Sequence, residues 1–99
     1  IDVIMYKRAP YFSELHIPND LVTIESEVRL WRSVIDLAIS DFLSTNKSRE
    51  SIANKERAKI WLRGKTEDFI IVCDYSFLHA HNTRQKIFEI IGGQDELYR

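Results

Sequence analysis

Three constellations of side chains in this chain have the types and spacing for chemistry. Lys55, Lys59 and Arg63 recur every four residues, so on a helix they form one outward cationic ridge. Such a ridge suits phosphate or an acidic protein surface, and it is also the ordinary look of a solvated helix face. Thr83, Arg84, Gln85 and Lys86 are four consecutive hydrogen-bonding residues. Arg can grip guanine through two donors, Gln can pair with adenine, and Lys and Thr reach phosphate. Cys73, Asp74, His79 and His81 form the third group, which could supply a thiol nucleophile with an imidazole base, or a zinc site. Against the zinc site stands the absence of a paired Cys or His knuckle elsewhere. A cysteine on the apolar face of a helix is an inert core residue, and His79-Ala80-His81 reads as a polar turn. The glycines are Gly64, Gly92 and Gly93, too few and too scattered for a phosphate-cradling loop. The expectation is therefore a non-enzymatic protein with no catalytic residue, metal or cofactor.

The elements that must position these groups follow from periodicity. Ile24, Val28, Trp31, Ile35, Ala38 and Phe42 alternate in steps of four and three, which lays one apolar stripe along a helix of about twenty residues. Thr23 is placed to cap its start, Glu25 and Glu27 suit the positive end of its dipole, and Ser44-Thr45-Asn46 breaks it. A second helix is expected from Ser48 or Ser51 to Leu62, with Ala53, Ile60 and Trp61 inward and Gly64 as its left-handed stop. Thr66 before Glu67 and Asp68 starts a third, with Phe69, Val72, Cys73 and Phe77 on one face. The β-branched Ile70, Ile71 and Val72 could favour a strand, but no second strand exists to pair with it. Asn82-Thr83-Arg84-Gln85 has the capping-box arrangement, and Ile87, Ile90 and Ile91 support a fourth helix ending at Gly92-Gly93.

These readings predict an all-α fold, a small four-helix domain with an extended N-terminal arm and a C-terminal helix-turn-helix-like pair. Residues 1–20, with Pro10 and Pro18, form the arm, which carries Ile4, Tyr6, Tyr11, Phe12, Leu15 and Ile17 and should pack on the core. A helical turn is expected at 12–15. Residues 21–93 form the helical domain and 94–99 a tail.

Composition sets the class. At 99 residues, 44% apolar and 29% charged, the chain is long enough for one core and too apolar for disorder. The longest apolar run, residues 69–73, falls far short of the ~20 residues of a membrane span. Residues 1–8 lack the pattern of a secretory signal, and a chain that begins with Ile reads as processed or trimmed. A single cysteine, Cys73, suits a reducing compartment, so a cytoplasmic location is expected. The net charge of −1 hides a segregation. Residues 14–46 carry two Arg against six acids, whereas 47–65 carry seven cations against Glu50 and Glu56.

The segments Leu30-Trp31-Arg32-Ser33-Val34-Ile35, Ala58-Lys59-Ile60-Trp61-Leu62 and Asp68-Phe69-Ile70-Ile71-Val72-Cys73, then Leu78 with Thr83-Arg84, carry a resemblance. Over residues 28–91 the chain resembles a group of short, mostly uncharacterised bacterial and prophage-associated proteins, often found near DNA-packaging genes. The resemblance implies a shared helical fold and an association with DNA. Where similar proteins have Ala-Gly-Leu-Asp, this chain has Ser76-Phe77-Leu78-His79.

The functional expectation is a helix-turn-helix nucleic-acid-binding protein, with duplex DNA as partner and a homodimer or larger assembly as the working form. Lys55, Lys59 and Arg63 would contact phosphate, and Thr83, Arg84, Gln85 and Lys86 the groove. The alternative is a non-catalytic helical adaptor whose basic second helix docks on an acidic protein.

Overall fold

The computed structural model describes residues 11–99. Ile4, Tyr6 and Pro10 of the expected arm lie outside the described residues. A turn closed by Leu15 N–H donating to the Phe12 carbonyl (3.1 Å) leads to a 3₁₀ turn, Asn19–Ile24, and then to α1 (Glu25–Leu43), α2 (Arg49–Leu62), α3 (Glu67–Tyr75) and α4 (Ala80–Ile91). A second 3₁₀ turn, Gln94–Leu97, follows. Among the described residues there is no strand. The all-α, four-helix architecture is as the periodicity predicts. No helix among the described residues is long and apolar enough to cross a membrane.

The helix boundaries have local causes. Ser48 accepts the Ser51 N–H (3.1 Å) and starts α2. Thr66 accepts the Phe69 N–H (3.1 Å) and starts α3, where Glu67 and Asp68 complement the dipole. That cap outweighs the strand preference of residues 70–72: Val72 turns inward while Ile70 and Ile71 stay at the surface. Gly64 (φ +75°) and Gly92 (φ +100°) provide left-handed stops after α2 and α4. Thr23, in contrast, does not cap α1, because the 3₁₀ turn delivers the chain into the helix with Ile24 at the cap position.

The core is built from Phe12, Ile35, Ile39, Phe42, Ala58, Leu62, Phe69, Val72, Cys73, Ile87, Ile91 and Leu97. α1 is the central element and packs against α2, α3 and α4. Its buried side is rotated from the expected stripe. Val28, Ile35, Ile39 and Phe42 are buried, and so are Arg32 and Asp36, whereas Trp31 and Ala38 lie half-buried at the edge. On α2 the inward residues are Ala58 and Leu62, Ala53 is half-buried and Ile60 faces out. Each fully buried large side chain contributes roughly 1.5–3 kcal/mol.

The arm and the C-terminal segment both belong to this core. Phe12 and Ile17 are buried, although Leu15 is exposed. Leu97 is completely buried, which joins residues 94–97 to the domain that the sequence reading ended at 93.

Arg32 and Asp36, one helical turn apart on α1, explain how the arm is held. The Asp36 carboxylate accepts the N–H groups of Tyr11 (3.0 Å), Phe12 (2.8 Å) and Ser13 (3.1 Å). The Arg32 guanidinium donates to the carbonyls of Leu15 (3.1 Å), His16 (3.4 Å) and Ser76 (2.9 Å). Two buried charges are thus satisfied by backbone groups, which removes the penalty that unpaired burial would carry. Burial first, and Arg29 second, lower the pKa of Arg32 from its usual range.

Candidate nucleic-acid interface

Four residues, 76–79, join α3 to α4. The Leu78 N–H donates to the Cys73 carbonyl (3.0 Å) and the Phe77 N–H to the Asp74 carbonyl (3.1 Å). This is the Schellman closure of a helix, which needs a left-handed residue between the two donors. Phe77 fills that position at φ +54°, a conformation costing an L-residue with a side chain roughly 1–2 kcal/mol. Its ring is half exposed. The turn therefore has the backbone that a small residue would give, with an aromatic in its place.

The neighbours of Phe77 hold the turn in that shape. Arg32 Nε donates to the Ser76 carbonyl at the negative end of α3 (2.9 Å). Ser76 is fully buried, and its hydroxyl is the buried side-chain polar atom without a partner among the described residues. Leaving such a hydroxyl unpaired costs about 1–3 kcal/mol. Residues 76 and 77 are both locally unfavourable, in a turn four residues long.

Beyond the turn α4 starts at Ala80, with His79 at its cap and no side chain capping it. The expected capping box at Asn82 does not form. Once the Schellman turn ends α3 at Ser76, helical geometry resumes two residues before Asn82, and residues 82–85 lie inside the first two turns. The phase of α4 follows. Ile87 and Ile91 point into the core with Thr83, while His81, Asn82, Gln85, Lys86 and Glu89 are exposed on the opposite side.

The seven expected contact residues fall into three groups. Gln85 and Lys86 are exposed on the outward face of α4. Thr83 is 3% exposed, on the core side of α4, where its hydroxyl opposes the rise of the Cys73 thiol pKa. It links α4 to α3 and is out of reach of any ligand. Arg84 is half-buried and clasps the α2–α3 loop: Nε and one terminal nitrogen donate to the Gly64 carbonyl at 3.3 and 2.8 Å, and the guanidinium lies 6.0 Å from the Phe69 ring centre. A Cβ on Gly64 would come within 2.6 Å of Arg84 Nε, so glycine there serves both the left-handed backbone and this close approach.

The third group is the α2 ridge. Its cations point toward the protein's own surface and are not free. Lys55 donates to the Ser44 carbonyl (3.3 Å) and sits over the Phe42 ring. Lys59 donates to the main-chain oxygen of Arg99. Arg63 donates to the Leu97 carbonyl (2.7 Å) and stacks 4.5 Å from the Tyr98 ring centre. All three are half-buried. A four-residue spacing places charges in a row, but it does not reveal that Gln94–Leu97 folds back beside them.

His81 and Asn82 were missed as surface groups. The signal was Thr83: read as an inward residue it fixes the phase of α4 and brings 81, 82, 85, 86 and 89 outward together. Cys73 is completely buried. Burial pushes its thiol from 9.0 up to about 11, against the opposing effects of Thr83 and Arg84. The neutral thiol of a raised-pKa cysteine is a poor nucleophile. Among the described residues no group of three or more His, Cys, Asp or Glu converges as metal ligands would.

No family model, curated protein or solved structure matches this chain.

Proposed function

We propose that this chain is a helix-turn-helix nucleic-acid-binding protein whose α4 enters the major groove of duplex DNA. The observation that carries the reading is the outward face of α4, where His81, Asn82, Gln85, Lys86 and Glu89 are exposed together directly after a tight four-residue turn. In a helix-turn-helix the second helix presents its first turns to base edges. Asn82 and Gln85 have the paired donor and acceptor that match adenine, Glu89 can accept from cytosine, and Lys86 reaches guanine or phosphate. No acidic side chain stands in the first turn of α4 and no side chain caps it, so its N–H groups are open to a phosphate.

The turn supplies a second line of support. Phe77 and Ser76 break local rules side by side, and such departures concentrate where backbone geometry serves a site. Docking of an acidic protein on α2 has less to hold, since Lys55, Lys59 and Arg63 are engaged within the chain.

The test is fluorescence anisotropy with random and with sequence-selected duplex DNA, comparing the wild type with Lys86→Glu and with Asn82→Ala/Gln85→Ala. Lys86→Glu should weaken binding to all duplexes, and the double variant should flatten sequence preference. Unchanged thermal melting shows that neither acts through the fold. Arg84 is unsuitable for this test because its loss also breaks the clasp on Gly64. Binding by Lys86→Glu and the double variant equal to that of the wild type would refute α4 as the reading helix.

A further inference from the structure

We infer that the outer face of α1 is a self-association surface, on which two copies of this chain pair their α1 helices antiparallel. Leu30 and Leu37 are each 62% exposed, with Val34 between them. They follow the four-then-three spacing of a helix seam and lie opposite the buried side of α1. Leu30, Ser33, Val34, Leu37 and Ser40 carry no charge, in a chain whose surface is otherwise rich in Lys, Arg, Asp and Glu. Charge returns at the two ends of the seam, as Glu27 and Asp41. The apolar surface continues past Trp31, whose ring lies 5.0 Å from that of Tyr75, to the exposed Tyr75 and Ile71 on α3.

Two features select a second copy as occupant, and a third sets the strength of the pairing. The first is order: the positions of Leu30, Ser33, Val34 and Leu37 mirror one another about the midpoint between 33 and 34. A two-fold pairing makes residue i meet residue j and j meet i, so a mirrored apolar face complements itself. The second is charge. With the axis at that midpoint, Leu30 faces the other copy's Leu37, Glu27 faces Ser40, and Asp41 faces Ser26, so no acid meets an acid. Parallel pairing would instead oppose Glu27 to Glu27 and Asp41 to Asp41. The third is extent. Three side chains and an aromatic ledge make a small contact, below the ~1,200 Å² that marks weak, transient pairs. The surface thus suits an equilibrium between monomer and dimer. This pairing stands independently of the nucleic-acid reading. If α4 also binds DNA, the dyad presents two copies of it and favours a two-fold-symmetric site.

The experiment is sedimentation equilibrium of the full chain from about 10 µM to about 1 mM. The wild type should shift from monomer toward dimer across that range. Leu37→Glu, at an exposed position, should move the midpoint at least about tenfold higher in concentration. Adding the opposite charge, in Leu30→Lys/Leu37→Glu, should restore the dimer in low salt, because the introduced ammonium of each copy then meets the introduced carboxylate of the other. Circular dichroism melts of all three chains confirm that each is folded. A wild type that stays monomeric throughout overturns the inference. So does a dimer indifferent to Leu37→Glu, or a double variant no better than the single one. DNA plays no part in this measurement, so its failure and that of the α4 reading are separable.

Discussion

At the scale of single residues, what was legible depended on whether a side chain's neighbours are close in sequence. The Ser48 and Thr66 caps act across three residues, and both were readable. Arg84 was not, because its partner Gly64 is twenty residues away. Thr83 misled for the same reason, as its neighbour Cys73 sits on the preceding helix. Three predictions belong here. Cys73 should resist a water-soluble thiol reagent at pH 8 in the native protein and react at once in denaturant; fast native reaction would contradict its burial. Because the thiol ionises near 9.0 when unfolded and near 11 when folded, its contribution to stability is fully present below pH 9. It is lost as pH rises through about 11, which denaturant melts at pH 8 and 11 would show. Phe77→Gly should raise stability by about 1 kcal/mol, since glycine meets no Cβ penalty at φ +54°. A loss of stability would mean that the half-exposed ring packs more usefully than its exposure suggests.

Among the elements, the four helices were legible because hydrophobic period and caps agree on each. The phase of α1 was less so. Its stripe reads as Trp31 and Ala38, whereas the buried side includes Arg32 and Asp36, two charged residues that a hydrophobic pattern counts as exposed. Their partners are backbone groups of the arm and of the α3–α4 turn, which no local pattern encodes. α1 accordingly does two jobs: it carries the core and ties both chain segments to it. Asp36→Ala should leave three arm N–H groups without their acceptor and cost about 2–3 kcal/mol. The arm should then become the first site cut in limited proteolysis. Equal protease resistance in variant and wild type would show that Phe12 and Ile17 alone hold the arm. The start of α4 belongs to this scale as well. Asn82 looked like a cap from its own four residues, but the turn set by Cys73, Asp74 and Phe77 restarts the helix at Ala80.

For the whole molecule, charge and exposed apolar surface divide the protein into faces. The cation-rich stretch 47–65 is spread over α2 and its loops, and its central members hold the C-terminal segment and the α1–α2 loop in place. Basic composition in that stretch therefore reflects internal tethering more than a phosphate track. The outward face of α4 carries a single Lys and a single Glu, so base contacts outweigh phosphate contacts in the proposed complex. Binding should accordingly show a shallow salt dependence, with log affinity falling by about 2–3 per tenfold rise in salt if two or three phosphates are neutralised. The most direct measurement is a titration of random and sequence-selected duplex DNA with the folded wild-type protein at low and moderate salt. The α4 proposal predicts saturable binding that is stronger for the selected duplex and weakens by that shallow slope. No binding at tens of micromolar to either duplex would contradict the proposal that α4 reads DNA.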